Sequence, residues 1–442
     1  MFKIKGKYTE ALITNDNTDP EVVQQIQSIT NNKAYAGCKI VELPDGHLGK
    51  INAPVGFCSE LGDYVNPCTV GVDIGCEISM HQYDKPLPED KYEDLNRRII
   101  NNCGWGFNLS PEKVYDDEEL FSFLSQEFRK AKKAKPDIFG PLPDTVTREW
   151  VSGTLRRIGM NENTWYGSIN SFGGGNHFCE YDESEDKSKC GITVHCGSRN
   201  FGLKVCKYWE NEANKSPLSK NEIKDLTNRF KANYMKEHED MRNFKPALDE
   251  YIEGFRKGHI DGFLSGENMK GYFRDMLFAM AYARFNHMVI HRVIDGFMEE
   301  YGCKCIGKII STHNYIDFTG EKPLIRKGAI RAFAGEEMLV PFNMRDGVAV
   351  CEGLSNGEWL NSCAHGAGRK MSRTQAKANV KMDEFQKSME GIYSTTVCAG
   401  TLDESPMAYK DTNEIKDLIK NTCVIKYMMK PRINIKAVDG GE

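Results

Sequence analysis

The sequence has no feature that would divide the chain into parts or hold it in a membrane. Its 442 residues contain no proline- and serine-rich linker, no internal repeat and no low-complexity tract, which predicts a single domain over residues 1–442. No stretch is apolar for long enough to span a bilayer, and residues 1–9 lack the continuous apolar segment of a signal peptide. We therefore expect a cytoplasmic protein that does not contact a membrane.

An excess of positive charge is also missing. The chain carries 58 basic and 63 acidic residues, a formal net charge of -5, which excludes a protein that coats nucleic acid through its overall charge. Any contact with a nucleic acid must therefore be local. The hydrophobic content of 40% is enough for a substantial core, so the chain is expected to fold.

Cysteine, by contrast, is frequent, with 15 residues. That number would suit a disulfide scaffold in a short secreted chain. Here the cysteines are scattered through a long chain that is expected in the cytoplasm, where thiols stay reduced. Some of them are therefore available to bind metal.

Sequence signals for helices occur in three segments. Residues 19–27 begin with Asp-Pro, which is typical of an N-cap followed by proline at the first helical position. Ser219 and Glu222 have the spacing of a capping box, and apolar residues follow them at helical intervals. Residues 277–298 carry a continuous apolar stripe, which predicts a third helix.

Short runs of β-branched and apolar residues predict buried strands at 192–194, 306–310 and 339–340. The first two runs come shortly before His195 and His313. Reactive side chains are often presented at strand ends or in the loops that follow them. The fold class is therefore predicted to be α+β, or mixed α/β, with site residues drawn from distant parts of the sequence.

Four polar, glycine-rich segments supply potential metal ligands. Together they offer one carboxylate, one thiolate and three imidazoles, from Asp73, Cys76, His177, His195 and His313. This mixed set suits a borderline divalent ion such as manganese or zinc and excludes an all-oxygen site for calcium or magnesium. A single histidine is more often a core or surface residue than a ligand, so the recurrence of the pattern indicates the metal site.

Other histidines and cysteines fit structural roles better. His287 and His291 have the i,i+4 spacing that could clamp zinc, but they lack the glutamate of a zincin motif and a nearby glycine turn. Cys303 and Cys305 resemble half of a zinc site without a second half, which favours packing.

The segment 362–373 surrounds His365 with small residues, which lets backbone amides approach a phosphate, and it adds the cations Arg369, Lys370 and Arg373. His365 is therefore a candidate nucleophile. From chemistry alone, a histidine that only contacts phosphate, or that supports another group, fits equally well.

Seven motifs in this order resemble the RtcB family of RNA ligases, and the resemblance covers residues 43–436. The motifs are Pro-Asp-Gly-His-Leu-Gly at 44–49, Gly-Val-Asp-Ile-Gly-Cys at 71–76, Gly-Gly-Asn-His-Phe at 174–178, His-Cys-Gly-Ser-Arg at 195–199, His-Asn at 313–314, Arg-Lys-Gly-Ala at 326–329 and His-Gly-Ala-Gly-Arg at 365–369.

The resemblance implies one catalytic domain with a central metal-binding cleft. It implies an enzyme that uses GTP and two manganese ions to join RNA ends with a 2′,3′-cyclic phosphate or 3′-phosphate to ends with a 5′-hydroxyl. RNA is the implied partner, and an archease-type protein is a possible activator. We also expect a local basic patch near Arg199, Arg326 and Lys327.

The resemblance also implies a role for each site residue. Cys76 would bridge the two ions, with Asp73 and His177 on one and His195 and His313 on the other, and His365 would carry GMP. The implied GTP contacts are Asn176, Glu180, Arg369, Tyr409 and Lys436. The implied contacts with the RNA ends are Asp45, His47 and Arg199.

The chain departs from the family pattern at four places. Cys196 stands where serine is common, and Glu77 stands where a small residue is usual, which predicts an extra carboxylate near the ions. Phe342 and Asn343 replace a glycine-serine version, which leaves nucleotide preference open. Residues 437–442 extend beyond Lys436, where the family normally ends.

Three other functions remain as alternatives. A 3′-phosphate guanylyl-capping enzyme or a cyclic phosphodiesterase would keep the metal site, and the intact His365 loop argues against the phosphodiesterase. A non-catalytic RNA-binding paralogue would be expected to have lost ligands, whereas each expected ligand type is present.

Overall fold

The computed structural model describes residues 1–49, 53–238, 240–255 and 259–438, and it confirms a mixed α and β fold. Among these residues, no helix is both long enough and apolar enough to cross a membrane. The helices are α1 (Pro20–Thr30), α2 (Tyr92–Asn102), α3 (Asp117–Ala134), α4 (Pro136–Phe139), α5 (Arg148–Arg157), α6 (Glu162–Gly167), α7 (Arg199–Ala213), α8 (Lys220–Glu237), α9 (Phe244–Phe255), α10 (Gly266–Glu300), α11 (Arg373–Asn379), α12 (Met382–Ser388) and α13 (Thr412–Ile419).

Strands from all parts of the chain combine into sheets. The strands are β1 (Phe2–Lys5), β2 (Glu10–Ile13), β3 (Ile40–His47), β4 (Val55–Glu60), β5 (Glu77–Tyr83), β6 (Phe178–Ser184), β7 (Cys190–Cys196), β8 (Cys305–Thr312), β9 (Tyr315–Asp317), β10 (Leu324–Lys327), β11 (Ala329–Arg331), β12 (Glu337–Pro341), β13 (Val348–Gly353), β14 (Ser362–Ala364) and β15 (Cys423–Ile435). One sheet has the order β1-β2-β3-β4-β10-β9, a second has the order β12-β13-β15-β6-β7-β5-β8, and β11 pairs with β14.

The three predicted helices are confirmed, with differences in length. Helix α1 begins at Pro20 as predicted and ends at Thr30. In α8 the capping box is present, because Ser219 Oγ accepts from the Glu222 amide at 3.2 Å and the Glu222 carboxylate accepts from the Ser219 amide at 2.7 Å. Helix α10 begins eleven residues before the predicted start, since residues 272, 273 and 276 are also buried and extend the apolar face.

The predicted strands lie within β7, β8 and β12, but β7 is longer than predicted. His195 lies inside β7 and not after it, because Phe178 of β6 and Ile78 of β5 pair with it on either side. Neighbouring strands therefore fix the backbone of His195 on both sides.

Antiparallel pairing places the first residues of β5 and β6 at the same end of the sheet as the last residues of β7 and β8. Glu77, the first residue of β5, pairs with both Cys196 and Thr312, which are the last residues of β7 and β8. Cys76 precedes β5, His177 precedes β6 and His313 follows β8. The strand register therefore brings these predicted ligands close together at one end of the sheet.

Helix α10 covers one face of this sheet and contributes a buried amide to it. Asn286 Oδ1 accepts from the amides of Asn170 and Ser171 at 2.7 and 3.2 Å, and Asn286 Nδ2 donates to the Ser171 carbonyl at 3.0 Å. Nδ2 also lies 3.2 Å from Cys196 Sγ. This amide holds the chain that leads into the His177 loop against the end of β7.

Removing the Asn286 amide should destabilise the protein. Asn286→Ala leaves the backbone amides of Asn170 and Ser171 buried without the side-chain acceptor they share, so we expect a loss of about 3 kcal/mol in the free energy of unfolding. Urea denaturation followed by circular dichroism measures it. Met288→Ala, at an exposed position of the same helix, should change the free energy by less than about 0.5 kcal/mol. Equal effects of the two substitutions would contradict the assigned role of the amide.

Candidate metal centre and adjoining histidine

Cys76 lies at the centre of the predicted ligands. Its Sγ is 3.4 Å from His177 Nε2 and 3.3 Å from His195 Nε2. His195 Nε2 is in turn 3.3 Å from His313 Nε2, and His177 Nε2 is 2.9 Å from an Asp73 carboxylate oxygen. Two groups of ligand atoms that lie within 4.8 Å of one another share this sulfur: Cys76, His195 and His313, and Asp73, Cys76 and His177.

A hydrogen bond determines which ring nitrogen of His195 is unprotonated. We call the side chains of Asp73, Cys76, His177, His195 and His313 the Cys76 cluster. His195 Nδ1 lies 3.1 Å from the Asn176 carbonyl, which can only accept, so Nδ1 carries the hydrogen. Burial, followed by the neighbouring imidazoles, lowers the pKa of His195 well below its ordinary value, so the ring is neutral. Its Nε2 therefore presents a lone pair towards Cys76 and His313.

Spacing and charge in the cluster both fit a divalent ion. Nitrogen ligands about 2.1 Å from a tetrahedral ion lie about 3.4 Å apart, close to the separation of the His195 and His313 nitrogens. Burial, and after it the charge of Asp73, raises the pKa of the Cys76 thiol well above its ordinary value. A cation would have to displace the thiol proton, as metals do at cysteine sites. The sulfur and nitrogen donors fit a borderline ion better than calcium or magnesium.

Loops around the cluster orient the Asp73 side chain. One carboxylate oxygen accepts from the Ser198 amide at 3.1 Å, and the Asp73 carbonyl accepts from Asn314 Nδ2 at 3.1 Å. A Cβ at Gly197 would collide with this carboxylate, so the close approach of the β7 end to Asp73 requires glycine there.

His365 adjoins the cluster at the end of β14. Its ring centroid is 4.9 Å from that of His313. His365 Nδ1 lies 2.7 Å from Asp45 Oδ2, and the same oxygen accepts from the His365 amide at 3.2 Å. Asp45 was expected to contact the RNA ends, but the structure places it against His365. Because the carboxylate accepts from Nδ1, His365 Nε2 is left with its lone pair.

Arg199 is buried beside the His177 loop in an unusual conformation. Its φ of 56° lies in the left-handed region, which is uncommon for a residue other than glycine and often marks a functional position. Arg199 Nε donates to Ser171 Oγ at 3.1 Å, and Nη2 donates to the Gly106 carbonyl. Nη1 is buried without a hydrogen-bond partner among the described residues, so it is available to an anion.

Glu404 organises the second group of predicted residues. Its carboxylate accepts from Arg369 Nη1 at 3.1 Å, from the Tyr409 hydroxyl at 2.5 Å and from Lys436 Nζ at 3.3 Å. Burial alone would raise the pKa of Glu404, but Lys436, Arg369 and Arg373 outweigh it and lower the pKa to about 2. The structure thus brings Arg369, Tyr409 and Lys436 together around one charged carboxylate.

This group connects to the metal cluster through β6. Lys436 Nζ lies 5.4 Å from the Phe178 ring centroid and donates to the Gly175 carbonyl at 3.3 Å. Glu180 is buried and accepts from Asn434 Nδ2 at 2.5 Å, and burial followed by the charge of Asp182 raises its pKa. Asn176 is exposed, in the loop that supplies the carbonyl for His195.

Two predictions about charge around the site are wrong. The expected basic patch does not form, because Arg326 is fully buried against Asp317 and Lys327 is buried with Nζ donating to the Ala53 carbonyl at 2.6 Å. Glu77 does not add a carboxylate to the cluster. Alternation along β5 turns its side chain towards α10, where one carboxylate oxygen lies 3.9 Å from His287 Nδ1 and the other accepts from Thr312 Oγ1 at 3.0 Å.

The other departures from the family pattern lie in packed surroundings, as do Cys303 and Cys305. Cys196 Sγ contacts the Ser171 carbonyl at 3.1 Å. Phe342 is buried, and Asn343 bonds to Asp346 at 2.8 Å. Cys303 is buried in an apolar cluster and Cys305 packs against it. The tail after Lys436 is described only to residue 438.

Sequence reasoning missed Glu404. The residue precedes Tyr409 in a Glu-Ser-Pro turn, and its signal was an acidic residue close to a predicted nucleotide-binding tyrosine. Its partners Arg369 and Lys436 are distant in sequence, so only the fold reveals that all three side chains meet at this carboxylate.

Comparison with known proteins gives consistent matches over nearly the whole chain. The model of the family described as tRNA-splicing ligase RtcB matches residues 25–437. The chain is similar to the RNA-splicing ligase RtcB of Escherichia coli K12, with 26% identity over 414 residues that cover 90% of each chain. It is also similar to the tRNA-splicing ligase RtcB of Archaeoglobus fulgidus, with 23% identity over 482 residues that cover 92% of this chain and 89% of the relative.

The central sulfur should control metal binding. We expect Cys76→Ser to weaken the binding of Mn²⁺ by at least about tenfold, because oxygen replaces a ligand atom common to both groups. Equilibrium dialysis with elemental analysis measures the bound ion. Cys38→Ser, at a buried cysteine outside the cluster, should bind as much Mn²⁺ as the wild type. Unchanged binding in Cys76→Ser would show that the ion is held elsewhere.

Proposed function

The chain belongs to the RtcB family of tRNA-splicing ligases, and we propose that it is an RNA ligase that works through a guanylylated His365. The substrates are RNA ends with a 3′-phosphate or 2′,3′-cyclic phosphate and RNA ends with a 5′-hydroxyl, and GTP provides the activation. The contact between Asp45 and His365 beside the metal cluster is the observation that carries this proposal.

In the first step, His365 Nε2 attacks the α-phosphorus of GTP. A P–N bond forms to GMP, and the bond to pyrophosphate breaks. Asp45 keeps the hydrogen on Nδ1, which leaves the lone pair on Nε2 and stabilises the positive charge that develops on the ring. Arg199 Nη1, buried without a hydrogen-bond partner among the described residues, can hold an oxygen of the RNA 3′-phosphate.

Two further transfers complete the reaction. An oxygen of the RNA 3′-phosphate attacks the phosphorus of the histidine-bound GMP, the P–N bond breaks, and His365 regains its lone pair. The 5′-hydroxyl of the second strand then attacks the activated 3′-phosphate, GMP leaves, and the hydroxyl proton passes to water. An end that begins as a cyclic phosphate is first opened by water to the 3′-phosphate.

Two manganese ions fit the donor set of the cluster. Asp73 and His177 would hold one ion and His195 and His313 the other, with Cys76 common to both. When bound, the ions supply Lewis-acid polarisation of phosphate oxygens and orient the groups that react. Around them, Ser198 and Asn314 fix Asp73, and Asn176 fixes the His195 ring, so the protein sets the ligand geometry in advance.

We assign GTP binding to the group around Glu404 and to the adjoining Asn176 and Glu180. Arg369 and Lys436 provide positive charge, and the half-buried Tyr409 provides a ring face for a base. The Arg369 guanidinium lies 5.1 Å from the centroid of the Tyr409 ring, a contact that helps to hold the ring in place. The contribution of Phe342 and Asn343 to nucleotide preference stays a prediction.

The wider setting of the enzyme is also part of the proposal. We treat residues 1–442 as one catalytic domain, since β15 from the end of the chain pairs with β6 and β13. A cytoplasmic location suits its 15 free thiols, which a reducing compartment preserves. An archease-type activator remains a candidate partner.

Replacing His365 should abolish the covalent step. Incubation with GTP labelled at the α-phosphate and with Mn²⁺ should give an acid-labile, alkali-stable adduct on the wild type. His365→Gln should lower adduct formation by at least about 10⁴-fold, because the substitution removes the nitrogen that attacks the α-phosphorus. His259→Gln, which removes a histidine paired with Asp261 outside the site, should leave the adduct unchanged. A labelled His365→Gln protein would refute the assignment.

Asp45→Asn should slow the transfer without weakening nucleotide binding. The substitution removes the charge that stabilises the imidazolium, so we expect adduct formation to fall by about 10²- to 10⁴-fold. The dissociation constant for GTP, measured by calorimetry, should change by less than about twofold, because Asp45 contacts Nδ1 of the His365 ring and not Nε2, the atom that attacks GTP. A loss confined to GTP affinity would instead make Asp45 a binding residue.

RNA products distinguish ligation from the capping alternative. An RNA with a 3′-phosphate is incubated with GTP and Mn²⁺, with and without an acceptor that carries a 5′-hydroxyl. A ligase yields a joined product only when the acceptor is present. If the acceptor is ignored and GMP stays on the 3′-phosphate, the chain is a capping enzyme.

A further inference from the structure

A second group of polar side chains lies behind the metal cluster, between β5 and α10. Alternation along β5 turns Ser79 and His81 towards α10, and His287, His291 and Asp295 lie four residues apart on the facing side of that helix. The imidazoles of this group are buried, whereas the Asp295 side chain is 21% exposed. The group therefore runs from the interior to the surface.

Hydrogen bonds at its inner end fix the protonation of each ring. His287 Nε2 lies 2.9 Å from the Cys196 carbonyl, which only accepts, so Nε2 carries the hydrogen. His287 Nδ1 then accepts from Ser79 Oγ at 2.7 Å, and Ser79 Oγ in turn accepts from His291 Nε2 at 2.8 Å. Burial lowers the pKa of both imidazoles, which is consistent with neutral rings.

Because His291 donates through Nε2 in this chain of hydrogen bonds, its Nδ1 carries an unprotonated lone pair. The atom is buried without a hydrogen-bond partner among the described residues, and the residue is only 1% exposed. Next to it, His81 stacks on His291 with ring centroids 3.7 Å apart. His81 Nδ1 donates to the Asp295 carboxylate at 2.9 Å, and ligand atoms of His81, His291 and Asp295 all lie within 4.8 Å of one another.

We propose that His81, His291 and Asp295 form a second metal site, separate from the Cys76 cluster and selective for a zinc-like divalent ion. Two imidazoles and one carboxylate are the ligand set of open zinc sites, in which water takes the fourth position. Asp295 provides the route from the surface. The site has no sulfur ligand, so its preference among ions differs from that of the Cys76 cluster.

Supporting residues already orient two of the three ligands. The Tyr83 hydroxyl donates to Asp295 Oδ1 at 2.6 Å, and Ser79 holds the His291 ring through Nε2. Such contacts behind the ligands are typical of built metal sites. Binding requires His81 to move its hydrogen from Nδ1 to Nε2. It also requires the stacked rings of His81 and His291 to turn until one nitrogen of each points at the same ion, since imidazoles bind a metal through a lone pair in the ring plane.

Zinc counting on the full chain tests the proposal. Wild type, Asp295→Asn and His81→Gln are stripped with a chelator, incubated with zinc chloride and freed of excess metal, and zinc per chain is measured by plasma mass spectrometry. Each variant should bind about one zinc ion fewer than the wild type. His259→Gln is the matched control, because it removes a histidine–aspartate pair of 3.1 Å that lies outside all the candidate metal groups among the described residues.

The same counts in a Cys76→Ser background separate the two sites. If the proposal holds, Asp295→Asn still removes about one zinc ion there, and zinc raises the thermal midpoint of Cys76→Ser by more than that of the double variant. Circular dichroism of the metal-free proteins checks that each variant folds. If His81→Gln does not fold, Asp295→Asn still tests the site, because this position is partly exposed and asparagine keeps a hydrogen-bond acceptor for His81. Zinc binding by Asp295→Asn equal to that of the wild type would overturn the proposal, as would a loss that disappears in the Cys76→Ser background.

Discussion

The buried contact between Cys76 Sγ and the imidazole nitrogens of His177 and His195 is the constraint on which the rest of the structure depends. Burying a thiol, a carboxylate and several imidazoles within a few ångströms is unfavourable unless positive charge is shared among them. The fold supports this arrangement through the register of β5, β7 and β8, which fixes three ligand positions by backbone pairing. Asn286 of α10 then ties the His177 loop to the same edge.

Acceptor-only groups determine the chemistry of each histidine around this edge. The Asn176 carbonyl holds the hydrogen of His195 on Nδ1, and the Asp45 carboxylate does the same for His365. The Cys196 carbonyl holds the hydrogen of His287 on Nε2. In each ring the opposite nitrogen is left with its lone pair, so hydrogen bonds determine which imidazole atom can bind a metal ion or act as a base.

Positive charge in the site is directed inward and not spread over the surface. Arg369 and Lys436 share the buried Glu404. Arg199 is held by Ser171 and Gly106, and its Nη1 has no hydrogen-bond partner in the described part of the chain. A chain with a net charge of -5 gains little from long-range attraction to RNA. Any recognition of phosphate by this site would then depend on a few cations that are fixed in orientation and not on the overall charge of the chain.

Local patterns in the sequence were enough to predict the fold class, the capping box of α8 and the residue types that meet in the candidate metal centre. These properties depend on short-range spacing and on residue type, as with Ser219 and Glu222 or with the sulfur of Cys76. The sequence could not show that Asp45 contacts His365, that Glu404 gathers Arg369 and Lys436, or that Arg326 is buried. These contacts join residues that are far apart along the chain, and strand register and side-chain alternation decide them. The position of Glu77 shows the reason, since one step along β5 separates a side chain that faces α10 from the cysteine at the metal cluster.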